Sequence, residues 1–536
     1  MAPTTQLPEV ESKPAGKKGL LLRALDLIER VGNRLPDPIT LFALLAFAVV
    51  AISGVASYFG VSAVHPATGE TVRVVNLFSA EGVRRMLAEA VRNFTAFPPL
   101  GLVIVVIIGI GVTERSGLIG VALRRLVSAV PPSLLTATLV FGGVMSSMAV
   151  DAGYVVLTPL GAMVFAAVGR HPIAGLAAAF AGVSAGFSAN LLITSLDPLL
   201  SGLSTEGARL VDPNYYVDPT ANYYFMIASV FLLTAVGTFV TSRFVEPRLG
   251  KWQRPDDVEL GEDDDQLRPL TAAESKGLRA AGIAFVVMLA VLALLVVPKN
   301  GLLRDPAAVE AGKDTITQIA PFLHGIVPIL MTFFLVLGLA YGVGAGTIKS
   351  DRDVASMSSE GVALLGSYIV LAFAAAQFVA YFNWSNLGLI LAINGADALK
   401  SAGFTGIPLL VGFILVSAFI NLFIGSASAK WAVMAPVFVP MLMLMGYSPE
   451  LTQAAYRVGD SVTNIITPLL PYFPVVIAFA QKYDRKAGIG TLISTMLPYS
   501  VAFLIAWGVM FALWILLGIP LGPGAPMTYD PSALGR

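Results

Sequence analysis

The chain of 536 residues contains no cysteine, only three histidines and little charge. Without cysteine there are no disulfides and no thiolate metal sites. His65, His171 and His324 are scattered and form no H-E-x-x-H pair, which argues against an intramembrane metalloprotease. Charged residues make up 13% of the chain, where a soluble domain carries about 25%. Lys plus Arg (34) cancel Asp plus Glu (34), so no net field draws the chain to nucleic acid. A phosphate-binding G-x-x-x-x-G-K-[ST] is missing too, since "GVGAGTIKS" places Ile348 before Lys349. No convincing G-x-S-x-G elbow with a partner base is found. An enzyme, an ATP-driven pump and an organic cofactor are therefore not expected.

What is present is apolar. The chain is 56% hydrophobic, with a mean hydropathy of +0.78. Runs long enough to cross a hydrocarbon core of roughly 30 Å recur near 36–59, 98–114, 173–203, 222–245, 278–298, 319–343, 361–381, 451–481 and 490–518. These predict an all-α polytopic membrane protein with about nine transmembrane helices. Two longer runs, 131–169 and 408–447, are interrupted by small polar residues ("GGVMSSMAVDAG" and "NLFIGSASAKW") and read as re-entrant hairpins. No short apolar stretch with a cleavage site precedes Leu35, so no signal peptide is expected.

This threading divides the chain into a cytoplasmic leader (1–34), scaffold helices (35–130), a first core repeat of hairpin plus broken helix (131–203), and further scaffold helices (204–407). A solvated linker, 250–277, interrupts that second scaffold stretch. A second core repeat (408–481), then a last span and tail (482–536), complete the chain. The basic clusters Lys13 to Arg34, Arg115 to Arg125, Arg170, Arg243 to Arg254, Lys349 to Arg352 and Lys482 to Lys486 then fall on one side. By the positive-inside rule that side is the cytoplasm, with the N-terminus inside and the C-terminus outside. Around "EGVRRMLAEAVRNF" the spacing predicts an amphipathic interfacial helix.

Prolines reveal a duplication. An offset of 277 residues takes Pro131 to Pro408, Pro159 to Pro436 and Pro172 to Pro449. After a gap of three or four residues, "NLLITSLDP" from Asn190 to Pro198 aligns with "NIITPLLP" from Asn464 to Pro471. Four spans separate the halves, so the hairpins are expected to enter from opposite sides as inverted repeats. Such repeats with discontinuous helices mark secondary transporters that bind substrate and ions near the midplane.

The stretch "AYRVGDSVTNIITPLLPYFPVVIAF" concentrates the polar residues. Pro449, Pro468, Pro471 and, in the first repeat, Pro198 are candidate helix breaks, and backbone unwound at membrane depth must line a cavity or be buried in protein. Arg457 and Asp460, three residues apart, read as a pair on one helical face. Either the pair is structural, or Arg457 forks onto a substrate carboxylate while Asp460 and Asp197 carry protons or orient it. At the second hairpin tip Ser428, Lys430 and Trp431 offer a hydroxyl, a cation and a ring on which an aromatic carboxylate stacks, or Trp431 is an interfacial anchor. Asp151 in the first tip either lines the pathway or meets cytoplasmic water. Asn190, Asn421 and Asn464 form a neutral oxygen set suited to sodium, with a proton as the alternative coupling ion.

Three stretches, "AGVSAGFSANLLITSLDPLLSGLS", "AAAQFVAYFNWSNLG" and "NLFIGSASAKWAVMAPVFVPMLMLMGYSPELTQAAYRVGDSVTNIITPLLPYFP", together closely resemble the AbgT family of bacterial p-aminobenzoyl-glutamate transporters. The resemblance implies a homodimer in the inner membrane, built of an oligomerising scaffold and an elevator-type transport core. It implies uptake of p-aminobenzoyl-glutamate or, alternatively, proton-driven export of p-aminobenzoate-like antimetabolites such as sulfonamides. It places functional residues at Asp197, Ser428, Trp431, Pro449, Arg457, Asp460 and Pro468, and a sodium site at Asn190 and Asn421. A channel lined by broken helices is the rival outside the carrier class.

Overall fold

The computed structural model describes residues 36–64, 69–148, 153–252, 269–363, 365–467 and 469–532. The leader, Asp151, Pro468 and most of the 250–277 linker lie outside the described residues. Helices dominate. Eight among the described residues are long and apolar enough to span a membrane. The count differs from nine because 173–203 and 451–481 are each split into two short helices, whereas the hairpin arm Ala427–Leu444 is long enough to qualify.

α1 (Pro38–Tyr58) leads to a short antiparallel ribbon of β1 (Ser62–Val64) and β2 (Thr71–Arg73), which three-residue strands leave invisible to periodicity. The amphipathic α2 (Ala80–Thr95) starts at Ser79, whose hydroxyl accepts the Gly82 N–H. α3 (Pro98–Arg115) opens on two prolines, which fit a first turn whose N–H groups have no partners. Gly117, at φ 94°, then turns the chain into α4 (Leu118–Ser128).

The first hairpin has arms α5 (Leu135–Met145) and α6 (Gly153–Ala167). α7 (Pro172–Ala185), a break, and α8 (Leu196–Ala208) follow. Next come α9 (Tyr223–Leu249), α10 (Ala272–Val296), α11 (Ile326–Ala345), α12 (Asp351–Ala363), α13 (Gly366–Trp384) and α14 (Leu387–Ser401). The second hairpin pairs α15 (Gly406–Asn421) with α16 (Ala427–Leu444). α17 (Pro449–Val462), a second break, α18 (Phe473–Gln481) and α19 (Ile489–Leu516) complete the chain.

The 277-residue offset runs through these boundaries. It carries the end of α6 at Ala167 to the end of α16 at Leu444, and α7 (Pro172–Ala185) onto α17 (Pro449–Val462). It also carries Leu196, which starts α8, onto Phe473, which starts α18, so the breaks need no gap. The three- to four-residue shift that aligns Asn190 with Asn464 is a local likeness of sequence and does not follow the helix register. Gly182 and Gly459 keep the offset and share a purpose. A Cβ on Gly182 would collide with the carbonyl oxygen of Val140 in α5, and one on Gly459 with that of Ile414 in α15.

Every residue of α7 and α17 is buried. These half-helices are wrapped by protein: α7 by the hairpin arms α5 and α6, α17 by α15, α16 and α19. α10 is the opposite, with only Gly277 and Ala281 buried along its length. At loop level Arg170 forks onto Glu246 at 2.9 and 2.6 Å, and Arg124 reaches Glu274 at 2.6 Å, joining segments that charge patterning assigned to one side.

Candidate substrate and cation site

Both breaks and both hairpin tips converge on a cavity of about 380 Å³. Its walls include Ser147 from the first tip, Gly425 to Ser428 from the second, Phe187, Ser195 and Leu196 from the first break, and Asn464 and Leu470 to Tyr472 from the second. Val103 and Ile107 of α3, with Leu365 and Tyr368 beside and within α13, close it from the surrounding helices. Among the described residues no lining side chain is charged. Two helix N-termini open onto it: α16, where the Ser426 hydroxyl accepts the Ala429 N–H at 3.3 Å, and α8 at Ser195 and Leu196. Such ends carry partial positive charge and favour anions.

Three tyrosines and Phe187 give the cavity its aromatic surface. The rings of Tyr154 and Tyr472 stack with centroids 4.1 Å apart and planes within 6°. Tyr154 is buried, and its hydroxyl bonds Ser184 Oγ at 3.1 Å, while Tyr472 is half-buried. The Tyr368 hydroxyl is buried with no hydrogen-bond partner among the described residues. None of the three was singled out from sequence, although Tyr472 stands between Pro471 and Pro474 in the break, a position that marks it.

Of the predicted substrate residues only Ser428 lines this cavity. Arg457, Lys430, Trp431 and Asp460 are all within 1% of complete burial, and each is engaged by protein. The pairing of Arg457 with Asp460 is not formed. Arg457 Nη2 reaches Asp197 Oδ1 at 2.6 Å, across 260 residues of sequence, while Asp460 Oδ1 lies 2.5 Å from Lys430 Nζ. Helical spacing places Arg457 and Asp460 near one another, but each side chain turns to a neighbouring element that supplies the opposite charge. Asp197 is further fixed by the Thr194 N–H at 2.7 Å and hydroxyl at 3.0 Å, so it ties the first break to Arg457. Removing one member of a pair this deeply buried strands a charge, at a cost of about 3–5 kcal/mol.

Trp431 is not an interfacial anchor. Its ring stacks on Tyr456 at 4.3 Å, and its indole N–H meets Ser204 Oγ at 3.0 Å. The Tyr456 hydroxyl in turn lies 2.6 Å from the Ala427 carbonyl oxygen and 3.1 Å from Asp460 Oδ1, its one hydrogen shared between them, which fastens the hairpin tip to α17. Pro449 is the first residue of α17, so it starts a helix instead of breaking one, and Pro198 sits in the first turn of α8. Pro471 lies in the second break and lines the cavity.

The three asparagines do not form one shell. Asn421 Nδ2 meets Asn464 Oδ1 at 2.8 Å, but Asn190 bonds Ser147 Oγ at 2.8 Å and shares no hydrogen bond with either. The only acceptor of the Asn421 amide, Oδ1, takes a hydrogen bond from Lys430 Nζ. A sodium ion at Asn421 would therefore meet an ammonium on the same oxygen. The residues around Asn421 do not fit sodium as they stand.

The family described as "AbgT putative transporter family" matches residues 23–529. The chain is 42% identical over 497 residues to the p-aminobenzoyl-glutamate transport protein of Escherichia coli (strain K12), an alignment covering 93% of this chain and 95% of that one. Among solved structures it is similar to YdaH of Alcanivorax borkumensis, a transporter of unusual topology, with 45% identity, a TM-score of 0.85 and coverage of 91% of this chain and all of that one. It is also similar to MtrF of Neisseria gonorrhoeae, from a class of antimetabolite efflux pumps, with 47% identity, a TM-score of 0.87 and coverage of 94% of this chain and all of that one.

Proposed function

The chain belongs to the AbgT transporter family, and from that premise we propose that it is an ion-coupled secondary carrier of p-aminobenzoyl-glutamate or a related aryl carboxylate. Its family and relatives are transporters, not enzymes, and it is a multi-pass membrane protein. The cavity at the meeting of both breaks and both tips carries the reading. A third aromatic ring extends the stack of Tyr154 and Tyr472, and the carboxylate lies against the N-terminal turns of α8 and α16, aided by the hydroxyls of Ser195 and Ser428. Arg457 then acts at one remove, holding Asp197 and the first break in shape.

The placing of the cavity supports an elevator-type cycle, because it is closed on one side by the repeats and on the other by α3 and α13. In this reading the two repeats are inverted, the remaining helices form the scaffold of a homodimer in the inner membrane, and the core carries substrate past the α3 and α13 wall. The uncharged side chains that the described lining presents also suit a second cargo, the uncharged p-aminobenzene sulfonamides, which share the aniline ring.

Proteoliposomes with radiolabelled p-aminobenzoyl-glutamate test the carrier reading. Saturable counterflow, accelerated by an imposed ion gradient and competed by p-aminobenzoate and sulfonamides, is the expected result. Non-saturating flux indifferent to internal substrate would instead identify a channel.

A further inference from the structure

The second repeat contains a cation of its own. Asn421, the last residue of α15, places Nδ2 2.5 Å from the Asp460 carbonyl oxygen and 2.8 Å from both Thr463 Oγ1 and Asn464 Oδ1, so its two amide hydrogens are shared among three oxygens. Three acceptors on one side fix the amide orientation, so Oδ1 must face the other way. There it receives Lys430 Nζ, which also lies 2.5 Å from Asp460 Oδ1. Asn421 and Lys430 are both completely buried. An amide oxygen and a carboxylate oxygen converging on one buried point are the ligands a hard monovalent ion takes. An ammonium satisfies the same oxygens by donating hydrogens, and two cations cannot share them in a low dielectric.

We propose that the Lys430 ammonium is a tethered cation standing where a sodium ion would bind in the second repeat, so that Asn421 and Asp460 take up no sodium while Lys430 is in place. Lys430 is in the first turn of α16, at the second hairpin tip, so this charge moves with the hairpin and never exchanges with solution. Lys430 on Asp460 and Arg457 on Asp197 form two buried ion pairs, each balanced internally. The proposal deepens the carrier reading by addressing its coupling ion. It is tested by binding alone, so it can fail while p-aminobenzoyl-glutamate transport stands.

The experiment uses the full chain, purified and held in nanodiscs, with NaCl exchanged for choline chloride at constant ionic strength. Two readouts are taken, the melting temperature and bound ²²Na⁺. The parent and Lys430→Arg are expected to show no saturable ²²Na⁺ binding that depends on Asn421, and no sodium-dependent shift. Lys430→Met vacates the site and leaves both oxygens, so it should gain ²²Na⁺ binding and a sodium-dependent rise of at least about 2 °C. Lys430→Met combined with Asp460→Asn removes the anion and should lose the gain, and it keeps the test readable if the single variant folds only in sodium. Saturable ²²Na⁺ binding by the parent that Asn421→Ala abolishes would overturn the proposal. So would a folded Lys430→Met protein that gains no sodium binding.

Discussion

Arg457 and Asp197 meet at 2.6 Å although each belongs to a different copy of the internal repeat. The contact joins α17 of the second copy to the start of α8 beyond the first break, so one ion pair couples the two discontinuous helices. Asp197 Oδ2 simultaneously receives Thr194, which leaves the carboxylate fully engaged.

A double-mutant cycle measures that coupling. Arg457→Ala and Asp197→Ala should each lower stability by about 3–5 kcal/mol, because each strands the other charge in protein. The double variant should be less destabilised than the sum, with a coupling energy of about 1–3 kcal/mol. The Arg457 and Asp460 cycle should give much less, since Asp460 bonds Lys430 and Tyr456 instead. Denaturant unfolding of the purified protein decides it, and equal coupling in both cycles would contradict the observed pairing.

These residues show where sequence reading reaches and where it stops. Apolar runs mark the spans because lipid demands them, whereas Pro449, read as a break, begins α17, because proline suits a first helical turn as well as it ends a helix. Asn421, ending α15, and Asn464, in the second break, were both marked as amides among apolar residues, but their contact spans 43 positions and is made by packing. The partner of Arg457 was misread. Spacing along one helix identified Asp460, but the ion pair was completed by a residue 260 positions away, which only tertiary packing specifies. The cavity was hidden for the same reason: Tyr154, Tyr368 and Tyr472 come from the first hairpin, α13 and the second break, and no local pattern unites them.

Glycine at the repeat-related positions 182 and 459 is a steric requirement. A Cβ at either would press on backbone, which cannot rotate away as a side chain can, and overpacking of this kind costs about 1–3 kcal/mol. Gly182→Ala and Gly459→Ala should therefore both destabilise, while Gly101→Ala, where nothing lies within 4 Å, should not. Melting temperatures of the three variants test it, and an unaffected Gly459→Ala would show that α15 and α17 can separate freely.

Substrate affinity should depend on Tyr472. Tyr472→Ala removes the ring that faces the cavity and should weaken p-aminobenzoyl-glutamate binding about 5- to 30-fold, while Tyr472→Phe, which keeps the stack, should stay within about threefold. Tyr368→Phe separates ring from hydroxyl on the opposite wall, and should weaken substrates with a polar group at that end more than simple p-aminobenzoate. Equilibrium binding in detergent reports both effects, and a Tyr472→Ala protein of parental affinity would place the aromatic site elsewhere.

Whether the repeats are inverted is best asked away from the cavity. Ser147 and Ser428 both line it, so labels at the hairpin tips would report which way the cavity is open as well as how the hairpins enter. The hairpin bases avoid that ambiguity. Ser133 precedes α5, Ser401 ends α14 just before α15, and both are exposed. The chain has no cysteine, so Ser133→Cys and Ser401→Cys each introduce one thiol without background. In intact cells a membrane-impermeant maleimide should label the thiol at position 401 directly and the thiol at 133 only after permeabilisation, because the first hairpin is read as entering from the cytoplasm and the second from outside. Adding p-aminobenzoyl-glutamate should leave this pattern unchanged, since neither base belongs to the cavity. Labelling of both thiols from the same face would make the duplication parallel and remove the basis for an elevator built on inverted halves.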